Sequence, residues 1–139
     1  MTVSGNNILK YIPQRAPIVM VDCLYESSAE GAETGLTVEA TNLFASDGRL
    51  QEPGIVEHIA QSAALQAGYF YVEAGKNVPL GYIAAVKDLQ ILDLPRVNSK
   101  LRTKIHVVHE LMGVTIVKGS VFCDSTLIAN CEMKIFIRE

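Results

Sequence analysis

The chain is poor in the residues that staple a small protein, hold a metal or cross a membrane. It has three cysteines in 139 residues, Cys23, Cys123 and Cys131. An odd number, far apart or strand-borne, argues against a complete disulfide framework and for small core residues in a reduced compartment. Its three histidines, His58, His106 and His109, lack metal-ligand spacing. His106 and His109 stand three apart on an expected strand and should face opposite sides, so no metal site is expected. No run approaches the roughly 18 apolar residues of a membrane span. The opening MTVSGNNILKYIPQRAP has neither an apolar signal core nor an Arg-rich transit pattern. Basic residues are outnumbered, 12 Lys+Arg against 15 Asp+Glu, for a formal charge of −3, which disfavours a general nucleic-acid surface. The expectation is a soluble cytoplasmic protein with neither nucleic acid nor membrane as partner.

What the chain does have is apolar content, 49% of residues. That suffices for one core of ordinary size, and the length argues for a single domain over residues 1–139. Residues 52–74 organise it. Pro53 and Gly54 punctuate the start, Gly75 lies past the end and no proline intervenes, which predicts one helix from about Pro53 to about Tyr71. Ala60, Ala63, Ala64, Ala67 and Gly68 give it low relief, over which a sheet can lie closely. Helical spacing gathers Ser62, Gln66 and Glu73 into a solvated stripe and turns Glu57 away from it, at the head of a row Glu57, Gln61, Ala64, Gly68. A carboxylate among small apolar neighbours loses hydration, the setting of a general acid or base. The competing reading is a first-turn glutamate that complements the helix dipole.

The rest of the chain reads as strand and connection. Residues 4–12 suit a short helix, capped by Ser4 or Asn6, over an open end of the core. Ile18 to Glu26 and Ala32 to Ala40 make a hairpin, and Ser46-Asp47-Gly48-Arg49 is a polar turn leading to the helix. Leu80 to Asp93 is continuous enough for a central strand, bent at Lys87-Asp88. Leu101 to Val107 alternates apolar and polar, and Val114 to Asp124 and Leu127 to Ile137 follow as further strands. There is no repeat, linker or low-complexity segment. Helix and sheet are segregated along the chain, an α+β pattern in which an antiparallel sheet curls around one long central helix.

Two segments carry a family likeness. Tyr11-Ile12-Pro13-Gln14-Arg15-Ala16-Pro17 followed by Ile18-Val19-Met20-Val21-Asp22, together with Glu57-His58-Ile59-Ala60-Gln61, resembles the hot-dog-fold 3-hydroxyacyl-acyl-carrier-protein dehydratases. The resemblance implies a hot-dog fold and an acyl carrier protein or acyl-CoA thioester as substrate. It implies no cofactor, and at least a homodimer paired sheet edge to sheet edge. It makes Glu57 half of a catalytic pair whose other half is a histidine in a Gly-His-Phe-Pro-Gly loop. Here that loop, residues 42–54, has no histidine, and Gly54 stands three residues before Glu57 where the family's matching glycine is usually further away. By resemblance Gly54 N–H would meet the thioester carbonyl. His58 is the sequence neighbour available to replace the absent histidine, and is otherwise a polar-side residue. Gln61 either orients Glu57 through an i+4 contact or lies at a subunit seam.

Three functions fit these residues. The first is a dehydratase-like lyase with Glu57 as acid/base. The second is a hot-dog acyl thioesterase, in which one carboxylate activates water or attacks the carbonyl. The third is a non-catalytic acyl-binding subunit. Arg96, Lys100, Arg102 and Lys104 form the one basic concentration, read either as a steering surface for an acidic carrier or as a solvated strand face.

Overall fold

The computed structural model describes residues 2–138. Its elements are β1 (Val3–Ser4), a 3-10 helix (Gly5–Lys10), β2 (Cys23–Ser28), β3 (Gly31–Thr37), β4 (Ala45–Ser46), β5 (Arg49–Leu50), α1 (Glu52–Glu73), β6 (Leu80–Ile91), β7 (Lys100–Leu111), β8 (Val114–Cys123) and β9 (Thr126–Arg138). Seven strands form one antiparallel sheet in the order β1-β2-β3-β7-β8-β9-β6, with β4 and β5 as a separate hairpin.

Alternation decides which face of the sheet meets α1. Along β7, Leu101, Thr103 and Ile105 are buried while Lys100, Arg102, Lys104 and His106 are exposed. Along β9, Ala129, Cys131, Met133 and Ile135 turn inward. These residues close on Ile55, Ile59 and Ala63 of α1 to form the main core. A second cluster, Ile8, Ile12, Val21, Leu24 and Leu65, seals one end beneath the 3-10 helix. Ser4 stands before that helix without a side-chain cap. Three hairpin tips carry positive φ at both central residues: Asp47-Gly48, Met112-Gly113 and Asp124-Ser125. Their twist matches that of the strands they join.

The bend expected at Lys87-Asp88 is present as a break in register between Lys87 and Gln90, with Asp88 at φ 53°. Other expectations need correcting. The strand starting at Leu80 is not central but terminal, because β9 lies between it and the rest of the sheet. Ile18 to Asp22 is not strand: it crosses α1, and β2 starts only at Cys23. The stripe Ser62, Gln66, Glu73 is wet only at Glu73. The β2–β3 hairpin covers the other two, so that Ser62 Oγ meets Thr34 Oγ1 at 2.7 Å and Gln66 Nε2 donates to Ser28 O at 2.8 Å. The extra residue Val108 in β7 sets His109 opposite Ile116 as His106 is opposite Lys118, so the two histidines share the outer face instead of facing opposite sides.

Cys23 and Cys131 are buried, Cys123 is half-buried, and all three are free thiols. Burial pushes the Cys131 thiol up to about 11. Arg96, Lys100, Arg102 and Lys104 are exposed. Arg102 pairs with Glu33 and lies over the Tyr25 ring, 3.7 Å from its centroid, as part of the solvated face. No helix among the described residues is long and apolar enough to cross a membrane.

Candidate active site

The site begins where α1 begins. Pro53 occupies the first turn, where a missing N–H costs nothing. Gly54 N–H donates to Gln51 O at 3.0 Å. Its Cα is packed so that an added Cβ would come within 2.6 Å of Phe44 Cβ and 2.7 Å of Leu50 Cδ1. The glycine is therefore required by close packing, and its N–H is engaged within the chain. The oxyanion role implied by resemblance has no free donor at Gly54 in this geometry.

One turn later stands Glu57, half-buried, with its Oε2 accepting from Gln61 Nε2 at 2.8 Å. The same Nε2 donates to Ile18 O at 2.8 Å, while Gln61 Oε1 accepts from Met20 N at 2.6 Å. Gln61 is fully buried within the chain. Every polar atom of this amide is thus fixed, and it holds the Glu57 carboxylate by the i, i+4 spacing of a helix. That spacing was readable in the sequence. The backbone of Ile18 and Met20 was not, because partners some 40 residues away leave no periodic trace.

Glu57 opens onto a cleft of about 330 Å³ between α1, the Pro13 loop and the β6–β9 end of the sheet. Ala60, Ala64, Pro79, Ile83 and Ile137 make most of it apolar. A second cleft of about 440 Å³ adjoins it through Ala63, Ala67, Ile135 and Ile137 and continues along α1 toward Phe70, where Gln66, Tyr71, Lys76, Glu110 and Thr115 make it more polar. The small residues that give α1 low relief therefore have a second use. They leave room between helix and sheet for an extended group, apolar beside Glu57 and more polar farther along.

His58 faces the other way. It is fully buried, with Nδ1 2.6 Å from Met20 O and Nε2 2.7 Å from Thr103 Oγ1. A carbonyl only accepts, so Nδ1 carries the proton and Nε2 accepts from the threonine hydroxyl. Desolvation holds this imidazole below the ordinary histidine range, against the opposing effects of the Met20 carbonyl and the Asp22 charge. With both nitrogens engaged inside the chain and no place in the lining of the Glu57 cleft, the ring stands apart from the carboxylate, and the polar-side placement expected for it is overturned. None of the three histidines lines the Glu57 cleft. The pre-helix loop is stitched down instead: Arg49 Nη1 donates to Leu94 O at 2.6 Å, Leu50 N to Pro95 O at 2.9 Å and Val97 N to Gly48 O at 2.9 Å. No cluster of His, Cys, Asp and Glu able to hold a metal occurs among the described residues.

Known proteins place this geometry in context. The chain is 26% identical over 140 residues, covering 96% of both sequences, to a 3-hydroxyacyl-[acyl-carrier-protein] dehydratase FabZ of Geotalea uraniireducens. Its fold is similar to a chain of the dehydratase heterocomplex ApeI:P from Xenorhabdus doucetiae, at TM-score 0.88 and 17% identity over 95% of this chain and 91% of that one. It is also similar to a hypothetical thioesterase from Streptococcus pneumoniae solved with coenzyme A, at TM-score 0.68 and 9% identity over 83% and 84% of the two chains. The antiparallel sheet around one long helix is the hot-dog fold. Residues 6–139 match the family model described as ApeP-like, ApeP dehydratase. The chain belongs to the ApeP-like dehydratase family.

Proposed function

We propose that this protein is a dehydratase-like lyase acting on 3-hydroxyacyl thioesters of acyl carrier protein, with Glu57 as acid/base. The observation that carries the reading is the clamped carboxylate: Gln61 holds Glu57 Oε2 at the mouth of an apolar cleft able to take an acyl group. Elimination of water removes the C2 proton, forms the C2–C3 double bond and releases the C3 hydroxyl as water. It needs a base, a proton donor for the leaving oxygen and donors for the developing enolate, and no redox cofactor. Glu57 takes the C2 proton. We assign the donor to another chain, since the cleft is bordered by β6, the last strand of the sheet, whose outer edge has no partner strand among the described residues.

That edge exposes Leu80, Tyr82, Ile83, Val86 and Leu89. An exposed apolar edge of this length invites pairing and needs a partner strand to cover it. We infer at least a dimer. In a homodimer neither pre-helix loop brings a histidine, so a second kind of chain that carries one would complete the site, as the heterocomplex of the Xenorhabdus relative suggests by its description.

A second reading follows from the lone carboxylate, which suits a thioesterase that needs no proton donor on the hydroxyl. Mass spectrometry of a pantetheine-linked 3-hydroxyacyl substrate after incubation with this chain, alone and together with the second chain, separates the readings. Loss of water supports the lyase, release of free thiol supports the thioesterase, and unchanged but tightly bound substrate identifies an acyl-binding subunit.

A further inference from the structure

We propose that Gln14 is a substrate-positioning residue whose side-chain oxygen accepts a hydrogen bond from the 3-hydroxyl of an acyl group in the Glu57 cleft, an inference that rests on the dehydratase-like reading above. Gln14 Oε1 is buried and has no hydrogen-bond partner, the one such side-chain oxygen or nitrogen among the described residues. Native structures rarely leave a buried acceptor unmade, and an unmade one calls for an explanation such as a ligand that supplies the missing donor.

The place of Gln14 says which ligand. It lines the same cleft as Glu57. Tyr82 is the other polar residue of the lining, but it pairs with Phe136, on the opposite face of the sheet from Ile83 and the buried Ile135. Glu57 and Gln14 are thus the polar lining residues of this cleft that the strand register does not turn away from it. A carboxylate suits the acidic C2 proton, which leaves the amide for the neighbouring oxygen. The terminal torsion of glutamine is broad, so a small rotation turns Oε1 onto the cleft.

The loop that bears Gln14 is built to hold it still. Gly68 has no Cβ because the Tyr11 carbonyl packs against it, and Gln61 bonds both Ile18 O and Met20 N. Residues 11–20 therefore run along α1 from Gly68 to Gln61, with Gln14 between these two anchors. The Arg15 guanidinium ties the turn from within, donating to Leu9 O at 3.1 Å, Ile12 O at 2.8 Å and Gln14 O at 2.8 Å. The backbone that carries Gln14 is thus preorganised, and only its terminal torsion has to turn for Oε1 to meet a guest.

Calorimetry with two pantetheine analogues tests it, a 3-hydroxyacyl and a saturated acyl compound of equal length, both amide-linked so that elimination does not consume them. The full chain should bind the hydroxylated compound about tenfold more tightly. Gln14→Met, close in shape but without the oxygen, should bind both compounds alike, with its affinity for the saturated one within about twofold of the parent chain's. Gln14→Ala serves as a second variant where Met disturbs the loop. A preference that persists in these variants, or that the parent chain never shows, overturns the assignment while leaving the dehydratase reading intact. Equal weakening toward both compounds in both variants makes Gln14 a structural residue and also overturns it. Failure of the parent chain to bind either compound overturns the dehydratase reading, and this inference with it.

Discussion

The two flanks of α1 are built on opposite rules. Toward β2, β3 and β7 the buried polar side chains His58, Ser62 and Gln66 find partners inside the chain: His58 with Thr103 and Met20, Ser62 with Thr34, Gln66 with Ser28. Toward β6 and β9 the helix presents alanines, a clamped carboxylate and open space, under a strand whose apolar side chains face solvent. Polar groups that are matched internally stabilise and specify a core. Apolar space with a fixed polar group at its mouth is what a ligand needs. Under the proposed function the difference separates the structural from the functional residues on one helix, though both kinds are polar and lie within a few residues of each other.

The comparison breaks first at Glu57. Glu57→Gln keeps size and helix preference but removes the acid/base proton. Turnover should fall by a factor on the order of 10² or more with the melting temperature nearly unchanged. Full turnover in the folded variant would return Glu57 to complementing the helix dipole. The next largest effect is on assembly. Leu89→Glu adds charge to the β6 edge, and light scattering at micromolar concentration should show the parent chain as a dimer or larger and the variant shifted toward monomer. A monomeric parent chain would remove any site shared between two copies of it.

His58→Gln tests the dry flank. Losing two buried hydrogen bonds should cost about 1–3 kcal/mol of stability, while kcat/KM changes less than about tenfold, as it should also for His106→Gln and His109→Gln. The pH dependence has a definite sign. Burial lowers the folded-state value of His58, so the unfolded chain binds the extra proton more readily. The contribution of the neutral ring is complete above the unfolded value near 6.5 and declines as pH falls below it toward the folded value. The melting temperature of the parent chain should therefore drop on acidification below about pH 6.5 more steeply than that of His58→Gln. Parallel curves would mean that the imidazole is not held neutral.

Much of this was legible in residues alone. Period-two alternation marked β7 and β9, because one face of each meets the core and the other meets water. The prolines, glycines and small residues marked α1, and the i, i+4 pair Glu57 and Gln61 could be picked out on it. The errors share a cause. Ser62, Gln66 and His58 look like a wet helix face because polarity in a sequence does not say whether the partner is water or a distant backbone. The sheet wraps far enough around α1 to supply Thr34, Ser28 and Thr103, each more than 25 residues away. Leu80 to Asp93 reads as a central strand for a related reason. Continuous apolarity marks burial on both faces, but β6 lies at the end of the sheet with several of those apolar side chains exposed.

The smallest effect comes from the Ser62 and Thr34 hydroxyls, 2.7 Å apart and both fully buried. Ser62→Ala removes one partner and strands the other without water, which should cost about 1–2 kcal/mol. Thr34→Val should cost a similar amount for the same reason. The double variant replaces both polar groups by apolar ones of nearly the same shape, so its loss should be well below the sum, and a double-mutant cycle by thermal or denaturant unfolding measures the difference. Turnover should be unchanged in all three, since neither hydroxyl reaches the Glu57 cleft. Strict additivity would mean that the two hydroxyls do not depend on each other, and loss of turnover would mean that the two flanks of α1 are not separate. Either result would end the division of the helix into a self-satisfied side and a side kept open for substrate.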